Sequence, residues 1–408
     1  MALIETTCCI VGGGPAGMMA GFLLARAGVD VLVLEKHADF LRDFRGDTVH
    51  PSTLEIIHEL GLLDDFLRRP HQKASQIKGI IGGSEITFAD FSHLPVRCPF
   101  IAFMPQWDFL DFLAEHGLRL PRFRLMMNAE VTGLIEEDGR VAGVTGASPS
   151  GAFAVRTALT IGADGRSSVV RDRAGLQPIR FGAPFDVFWM KLPRREGDRR
   201  AALGRVDAGQ ILVMIDRGDY WQCGYVISKG AADDVRREGL SAFRERIAAI
   251  APELADRCAT LTRWEDVRLL TVQVNRLKTW FKPGLLMIGD AAHAMSPIGG
   301  VGINLAVQDA VAASNLLAGP LRRESLTAHD LRRVQNRRDW PTRITQRFQM
   351  VIQKRALARI LQRTRPFRVP LIARLVNGCP ILQRIPARLV GMGFRPEHIA
   401  PISGPGAN

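Results

Sequence analysis

Apolar residues recur with two different periods along the first 36 residues. Ile4 to Val11 ends in the apolar run Cys-Cys-Ile-Val, which is typical of a strand entering a parallel sheet. From Pro15 to Arg26, Ala, Met and Leu recur at helical spacing, and Gly28 marks where that helix should end. Val29 to Leu34 is a second short apolar run. The pattern predicts a strand, a tight turn, a helix and a second parallel strand.

The same opening carries no charge from residue 6 to residue 25, a length that also matches a membrane-spanning helix. Three consecutive glycines and Pro15 fall inside it and would break a helix exposed to lipid. No basic segment or small-residue cleavage pattern accompanies it. We therefore expect neither a membrane anchor nor a signal peptide in these residues.

Two later segments repeat the change from strand to helix. Residues 284–317 predict a buried strand at Leu285–Ile288, a Pro/Gly loop, and an Ala-rich helix that begins near Val301. Residues 161–175 predict a strand, an Asp-Gly pair and a short basic helix. Both segments place an aspartate where a strand ends.

Residues 181–275 follow a different pattern, because apolar and polar positions alternate in them. The stretches 186–193, 210–216 and 220–228 predict antiparallel strands with one apolar face. The segment 75–100 is expected to add strands to the same sheet. Such a sheet suits the roof of a pocket. The residues that could line the pocket, and that could alternatively be ordinary core residues, are Trp189, Met214, Trp221, Gln222 and Tyr225.

Composition indicates a globular protein of two or three structural units, with 408 residues, 47% of them hydrophobic and 23% charged. The six cysteines show neither a CxxC pair nor ligand-like spacing with histidine. We expect reduced thiols in a cytoplasmic protein and no metal site.

The positive charge is local. Residues 322–408 contain 18 Lys or Arg and four Asp or Glu, a net charge of +14, whereas the whole chain carries +13. Arg is interleaved with Leu, Ile and Val there, which predicts helices broken at Pro341, Pro366 and Pro370. Three interpretations stay open: a solvated face, contact of residues 322–395 with an anionic membrane, and an acidic partner. No nucleic-acid module is present, so we expect no nucleic-acid binding.

The glycines of the first turn carry candidate chemistry. Gly12, Gly14 and Gly17 form GxGxxG, and Glu35 follows Gly17 by eighteen residues at the end of the second strand. These glycines allow the turn, the approach of a pyrophosphate and close packing of helix on strand, while the acidic residue can bind a ribose. The predicted dinucleotide site comprises Gly12, Gly14, Pro15, Ala16, Gly17, Glu35 and Lys36.

The segment at 284–317 indicates which dinucleotide binds. Asp290 suits an acceptor for a ribityl hydroxyl, and the helix start at Gly302, Ile303 and Asn304 offers N–H groups to anionic charge. The three motifs at 12–17, 163–165 and 289–290 resemble, in order and spacing, those of the FAD-dependent group A aromatic hydroxylases, the para-hydroxybenzoate hydroxylase-like family. The resemblance covers roughly residues 4–320.

The resemblance implies a role for each motif. The first would hold the ADP half of FAD, the second would place Asp164 near the pyrophosphate, and the third would hold the ribityl chain with Gly289 and Asp290. Residues 44–62 and 105–117 resemble two further family segments, in which Arg45 and Gln106 would reach the cofactor.

The same resemblance implies the residues closest to the chemistry. Pro297 and the loop through Gly299 and Gly300 would lie over the flavin, and the helix start at 302–304 would stabilise negative charge on it. His50 would lie at the flavin edge, or alternatively serve only in the structure.

The implied fold is α/β. It combines an FAD-binding doubly wound domain (Rossmann-like, glutathione-reductase-type), an antiparallel β-sheet substrate domain and C-terminal helices. The expected boundaries are 1–74, 101–180 and 276–320 for the FAD-binding parts, 75–100 and 181–275 for the substrate domain, and 321–408 for the basic helical region.

The implied activity is a monooxygenase that uses FAD, NAD(P)H and O2, through a flavin C4a-hydroperoxide, to hydroxylate an aromatic or polyketide-like substrate. The residues predicted to contact the substrate are Trp189, Met214 and Gln222. A lipid-chain reductase or a halogenase of the same fold is the alternative, and a non-enzymatic scaffold is a third. We expect a cytoplasmic protein that binds peripherally to the inner face of the membrane. We expect it to be a monomer or a dimer.

Overall fold

A computed structural model describes residues 2–41, 48–198, 203–363, 365 and 369–401. Within these residues the strands are β1 (Ala2–Val11), β2 (Val31–Leu34), β3 (Thr48–Val49), β4 (Gln72–Ala74), β5 (Gln76–Ile81), β6 (Ser84–Asp90), β7 (Ile101–Phe103), β8 (Phe123–Met126), β9 (Glu130–Glu137), β10 (Arg140–Ser148), β11 (Gly151–Gly162), β12 (Pro178–Arg180), β13 (Phe185–Pro193), β14 (Leu203–Asp207), β15 (Gln210–Asp216), β16 (Tyr220–Ser228), β17 (Val267–Leu270), β18 (Asn275–Leu277), β19 (Phe281–Lys282) and β20 (Leu285–Met287).

The α-helices of the described residues are α1 (Pro15–Arg26), α2 (Pro51–Glu59), α3 (Leu63–Leu67), α4 (Gln106–Gly117), α5 (Val169–Arg173), α6 (Ala232–Glu238), α7 (Leu240–Ile250), α8 (Gly302–Arg322), α9 (Ala328–Ile352), α10 (Ala358–Leu361), α11 (Leu371–Gly378) and α12 (Pro380–Gly391). Turns of 3-10 helix cover Pro252–Thr260, Trp264–Asp266, Gly289–Ala291 and Ile298–Gly300, and a π-helical turn covers Gln353–Leu357.

The larger sheet has the strand order β19-β20-β11-β1-β2-β8, and β9 and β10 form a hairpin on the first half of β11. Strands β20, β11, β1, β2 and β8 run parallel, so their carboxyl ends meet at one edge. Alternate residues of β1 face opposite sides of this sheet, and Cys8 and Cys9 therefore contribute to different clusters of the core. Helices α1, α4 and α8 cover the Cys8 side. The doubly wound α/β architecture expected from the sequence is confirmed.

The second sheet has the order β17-β13-β16-β15-β14-β5-β6 and is antiparallel except between β14 and β5. One face packs against α6 and α7. The other face turns towards β7, α10 and α12 through two smaller clusters, which share Trp189. The antiparallel sheet expected between residues 181 and 275 is confirmed, and it includes β5 and β6 from the segment 75–100.

Helix α8 and the turn before it, Ile298–Arg322, are together long and apolar enough to cross a membrane. However, 78% of the most apolar stretch of this segment is buried inside the protein. It is therefore a core helix of the larger domain.

The basic C-terminal region is helical, as expected, but its breaks differ from the prediction. Helix α9 runs through Pro341 without ending, and the break predicted there is wrong. Proline costs a helix about 3 kcal/mol, and buried side chains on both sides of Pro341 outweigh that cost. Pro366 lies outside the described residues, whereas Pro370 does precede a new helix, α11.

Candidate active site

The first turn, Gly12–Gly14, connects β1 to α1 and is shaped by close backbone packing. A methyl group added at Gly17 would lie 1.9 Å from the Gly12 carbonyl oxygen, so helix and turn touch directly. The Glu35 carboxylate at the end of β2 accepts hydrogen bonds from the backbone N–H of Gly13 at 2.9 Å and of His37 at 3.0 Å. Lys36 is exposed. Glu35 thus braces the turn that the glycines form.

The start of α1 is suited to an anionic ligand. Gly14 is its N-cap and offers no side chain to the first N–H groups, and the first turn of the helix contains no acidic residue. Pro15 opens the helix, and Ala16 is buried. Among the described residues, a methyl group added at Gly14 would meet no atom within 4 Å beyond its own neighbours in the chain. Uncapped N–H groups that border open space fit the pyrophosphate of FAD.

The second motif lies against the first turn. The Ala163 N–H donates to the Val11 carbonyl at 2.8 Å, and a methyl group added at Gly12 would lie 2.8 Å from the Asp164 Cα. The Asp164 carboxylate accepts from Ser168 Oγ at 2.5 Å and from the Val170 N–H at 3.1 Å. Burial raises its pKa. Asp164 therefore holds the start of α5, whose N-cap is Ser168, beside the turn, and any support for a pyrophosphate would act through that scaffold.

The third motif completes the edge. Ile288 N–H donates to the Gly162 carbonyl at 3.0 Å, and a methyl group added at Gly289 would lie 2.9 Å from the Ala16 Cβ. The Asp290 side chain is one third exposed, and its Oδ2 accepts from Arg166 Nε at 3.0 Å. The three segments therefore converge around the start of α1.

The second turn, Pro297–Val301, leads into α8 and is held by side chains from α2 and β3. Thr48 Oγ1 donates to the Gly300 carbonyl at 2.9 Å. Asn304 Oδ1 accepts from the His50 N–H at 3.1 Å and from Thr53 Oγ1 at 2.7 Å. The start of α8 at Gly302 and the buried Ile303 has no side-chain cap and no acidic residue in its first turn. Its free N–H groups suit the negative edge of a flavin.

His50 lies directly under this second turn. Its Nδ1 donates to the Val390 carbonyl of α12 at 2.7 Å, because a carbonyl only accepts. Burial lowers the pKa of His50 to about 4, so the ring is neutral at pH 7. Its Nε2 is then an unprotonated acceptor, buried and without a hydrogen-bond partner in the described part of the chain.

The structure says less about Gln106 and Arg45, the two other residues predicted to contact the cofactor. Gln106 is the first residue of α4 and is half-buried. Arg45 lies outside the described residues, so its contact with FAD phosphates stays a prediction.

The substrate candidates fall on opposite faces of the second sheet. Trp189 shares clusters with Ile215 and Ile298, on the face turned to the second turn. Gln222 is buried, and its Oε1 accepts from Arg217 Nε at 3.0 Å.

Met214, in contrast, packs in the core beneath α7, which places it away from the second turn. Trp221 and Tyr225 lie on the same far face, and burial raises the pKa of the Tyr225 hydroxyl to about 12. The predicted lining residues therefore lie on both faces of the sheet, and Met214, Trp221 and Tyr225 lie on the face that packs against α6 and α7. Ile215 therefore replaces Met214 among the pocket residues that we propose.

The structure adds a polar network that sequence reasoning missed. Asp309 of α8 accepts from the Gly289 N–H at 3.1 Å, from His293 Nε2 at 2.6 Å and from Arg338 Nε at 3.1 Å. Arg338 also donates to Glu397 at 3.2 Å, and all of these side chains are at least 95% buried. Buried polar residues at helical spacing within 338–353 were the signal, but in an Arg-rich helix they resembled a solvated face.

Comparison with known proteins agrees with this geometry. Residues 5–347 match the FAD binding domain family. A 6-methylpretetramide 4-monooxygenase of Streptomyces rimosus is 33% identical over 385 residues, which cover 93% of this chain and 92% of that protein. A 12-dehydrotetracycline 5-monooxygenase/anhydrotetracycline 6-monooxygenase of the same species is 30% identical over 329 residues, 74% of this chain and 60% of the other.

Among solved structures, pqsL, a probable FAD-dependent monooxygenase from Pseudomonas aeruginosa, superimposes with a TM-score of 0.75 at 20% identity. The match covers 87% of this chain and 97% of the other and supports the fold. A Dialkyldecalin synthase of Streptomyces rugosporus is also similar, 27% identical over 76% of this chain and 64% of that protein. With the three motifs converging on one edge, these matches show that the chain belongs to the FAD-binding-domain family of group A flavoprotein monooxygenases.

Proposed function

We propose that this chain uses NAD(P)H and O2 to hydroxylate an aromatic ring of a polyketide-like substrate, with FAD lying along the carboxyl edge of the larger sheet. The observation that carries the proposal is the convergence of Gly12, Asp164 and Gly289 around the uncapped start of α1. The polyketide class is supported by the tetracycline-type names of two relatives that match most of this chain. When bound, FAD would supply the electron transfer and the activation of O2.

The protein would contribute binding, orientation and charge. We assign the pyrophosphate to the start of α1, the ribityl hydroxyls to Asp290, and the negative edge of the flavin to the N–H groups of Gly302 to Asn304. Pro297, Gly299 and Gly300 would lie over the ring. Removing one such oriented donor from a comparable site costs about 3 kcal/mol of transition-state stabilisation.

His50 would act at the substrate rather than at the cofactor. Its Nε2 is a buried acceptor without a described partner, and leaving an acceptor unpaired costs about 1–3 kcal/mol. We propose that a ring hydroxyl of the substrate donates to this atom. Trp189, Ile215 and Gln222 would form the roof of the pocket.

Substitution of Asp290 tests the cofactor assignment. We expect Asp290→Ala to purify with little FAD, because the ribityl hydroxyls lose their acceptor, as measured by the flavin-to-protein absorbance ratio. Asp172→Ala is the matched control, since Asp172 is 68% exposed on the nearby α5. Full flavin occupancy in Asp290→Ala would count against the assignment.

A ring panel separates hydroxylation from the other reactions of this fold. With anhydrotetracycline or 4-nitrophenol as probes, a hydroxylase should oxidise NAD(P)H faster when a ring it accepts is present, and the product should gain one oxygen atom. Loss of a double bond from an isoprenoid probe would favour the lipid-chain reductase, and a halogenated product would favour the halogenase. The Dialkyldecalin synthase among the relatives makes product analysis necessary, because NAD(P)H oxidation alone does not identify the reaction.

We also propose that residues 322–395 contact an anionic membrane from the cytoplasmic side, chiefly through α11 and α12. Four aliphatic side chains there are strongly exposed: Leu371 at 81%, Leu375 at 63%, Ile381 at 66% and Ile385 at 59%. Arg374, Arg384 and Arg388 are also exposed, and no Asp or Glu occurs between residues 340 and 396. Exposed aliphatic and basic side chains on one element favour an anionic lipid surface.

Vesicle sedimentation tests this contact. The protein should sediment with vesicles of phosphatidylglycerol and phosphatidylcholine but not with phosphatidylcholine alone, and Leu375→Ser with Ile385→Ser should abolish the difference. Leu118→Ser is the control, because Leu118 is 60% exposed outside the basic region. Equal binding to both kinds of vesicle, or none, would contradict the proposal.

A further inference from the structure

Helix α9 buries a polar stripe against the second turn. Arg338, Thr342, Gln346 and Gln349 of α9, and Gln353 of the π-helical turn that follows it, succeed one another at intervals of three or four residues, and none is more than 2% exposed. Such spacing places them on one face of the helix. A buried polar face is costly unless its groups are hydrogen-bonded, so this stripe is expected to have partners.

Gln346 and Gln349 find their partners in backbone groups of the segment that precedes α8 and of Asn275, whereas Thr342 Oγ1 and Gln353 Nε2 have no partner among the described residues. Gln346 Nε2 donates to the Ala294 carbonyl at 3.2 Å and to the Asn275 carbonyl at 2.7 Å. Residues 291–296 are all buried yet contain no strand or α-helix. Some of their backbone groups pair with the backbone of Gly289, Asn275 and Leu277, and others pair with side chains of α9.

Gln349 holds the residues on both sides of Pro297. Its Oε1 accepts from the Ser296 N–H at 3.2 Å, and its Nε2 donates to the carbonyls of Ser296 at 3.0 Å and Ile298 at 2.8 Å. One side chain thus replaces the backbone partners that a strand or helix would provide, at the point where the chain turns towards Gly299 and Gly300.

We propose that Gln349 is a positioning residue, which fixes the second turn so that its backbone and the start of α8 face the flavin. This inference rests on the proposed function, because that function places FAD against the second turn. Gln349 itself need not touch the cofactor or the substrate. Its effect passes through Ser296 and Ile298, and no motif in the sequence predicted it.

The test compares Gln349→Met with Gln346→Met in the FAD-loaded protein. Both variants lose amide hydrogen bonds from the same buried stripe, but Gln346 holds Ala294 and Asn275 and makes no hydrogen bond to the turn at Pro297 among the described residues. The first measurement is hydrogen exchange of the peptide covering residues 296–304. We expect exchange about tenfold faster in Gln349→Met, and rates within about twofold of wild type in Gln346→Met, since only the first frees the turn.

The second measurement is the midpoint potential of the bound FAD. The freed turn should no longer stabilise the negative charge of reduced flavin. The affinity for reduced FAD should therefore fall about tenfold relative to the affinity for oxidised FAD, which shifts the midpoint potential by about 30 mV to more negative values. Gln346→Met should leave the potential unchanged. If Gln349→Met does not fold, Gln349→Glu retains the acceptor for Ser296 N–H, and we expect it to shift both measurements in the same direction.

The possible results distinguish failure of the positioning role of Gln349 from failure of the proposed function. Equal effects of the two methionine variants on both measurements would overturn the positioning role, because Gln349 would then be an ordinary stabilising residue. Faster exchange with an unchanged potential would also overturn it, since the turn would not face the flavin. If the wild-type protein does not bind FAD, the proposed function fails, while hydrogen exchange still reports whether Gln349 holds the turn.

Discussion

The two turns that face the proposed cofactor are held in different ways. The first turn, Gly12–Gly14, depends on backbone packing against Gly17 and on Glu35, which ends the neighbouring strand. The second turn, Pro297–Val301, depends on side chains from β3, α2 and α9, up to 252 residues away in the chain. One turn is built locally, and the other is assembled by the fold.

This difference affects how each turn responds to substitution. A locally built turn fails when a glycine gains a side chain, because backbone atoms are already in contact. An assembled turn fails when a distant polar partner is removed, because a buried group then loses its hydrogen bond. The predictions below probe each turn by its own mode of failure.

The largest expected effect concerns the network behind the second turn. Replacing Arg338 by methionine would leave Asp309 and Glu397 buried without their shared cation, and breaking a buried pair in this way costs about 3–5 kcal/mol of unfolding free energy. Urea unfolding would measure the loss. Arg337→Met is the control, because Arg337 also pairs with Glu397 but is 37% exposed, so its loss should cost less. Equal losses would show that burial of the network contributes little.

The first turn should respond to a single methyl group. In Gly17→Ala the new carbon would lie 1.9 Å from the Gly12 carbonyl oxygen, and we expect about 3 kcal/mol of destabilisation. The higher helix propensity of alanine, about 1 kcal/mol, is too small to compensate. Gly14→Ala is the counterpart, since its methyl group would meet none of the described residues outside its own stretch of chain. It should unfold like wild type yet bind FAD about tenfold more weakly, as titrated by flavin fluorescence. Unchanged FAD binding would place the pyrophosphate elsewhere.

The two turns also show which features of the site could be predicted from the sequence and which could not. The bounds of α1, Pro15 to Arg26, were predicted correctly because glycine and proline mark them locally. Gln349 and Arg338 were missed because an Arg-rich helix with scattered glutamines has the same sequence pattern whether its polar face meets solvent or a buried loop. Only the packing of α9 against residues 293–298 distinguishes the two.

The second sheet shows the same limit. Alternation predicted strands with two different faces, but the period of two is symmetric and does not say which face meets the cofactor domain. The assignment needed α7 on one side and β7 with α12 on the other, and these contacts are long-range. Local patterns therefore predicted the elements, while tertiary contacts decided the roles.

The pH dependence of stability should reveal His50 beneath the second turn. The ordinary pKa of histidine, 6.5, is lowered to about 4 by burial in the folded protein. The unfolded chain therefore binds more protons between these values, and stability falls as the pH is lowered through this window. The loss between pH 8 and pH 5 amounts to about 2 kcal/mol from this group.

His50→Gln isolates that contribution, because glutamine retains a donor for the Val390 carbonyl but does not titrate. The difference in unfolding free energy between the two proteins should therefore change by about 2 kcal/mol over the same pH range. A constant difference would mean that His50 ionises normally in the folded state.

The smallest effect is expected for one hydroxyl group that ties α2 to α8. Thr53→Val preserves the shape of the side chain but removes the hydrogen bond from Thr53 Oγ1 to Asn304 Oδ1. Asn304 Oδ1 still accepts from the His50 N–H, so it is not left unpaired, and the cost should be about 1 kcal/mol in urea unfolding. Thr53→Ser keeps the hydroxyl and serves as the control for the methyl group. A loss of several kcal/mol in Thr53→Val alone would mean that the second turn depends on one contact, rather than on the several distant partners that distinguish it from the first.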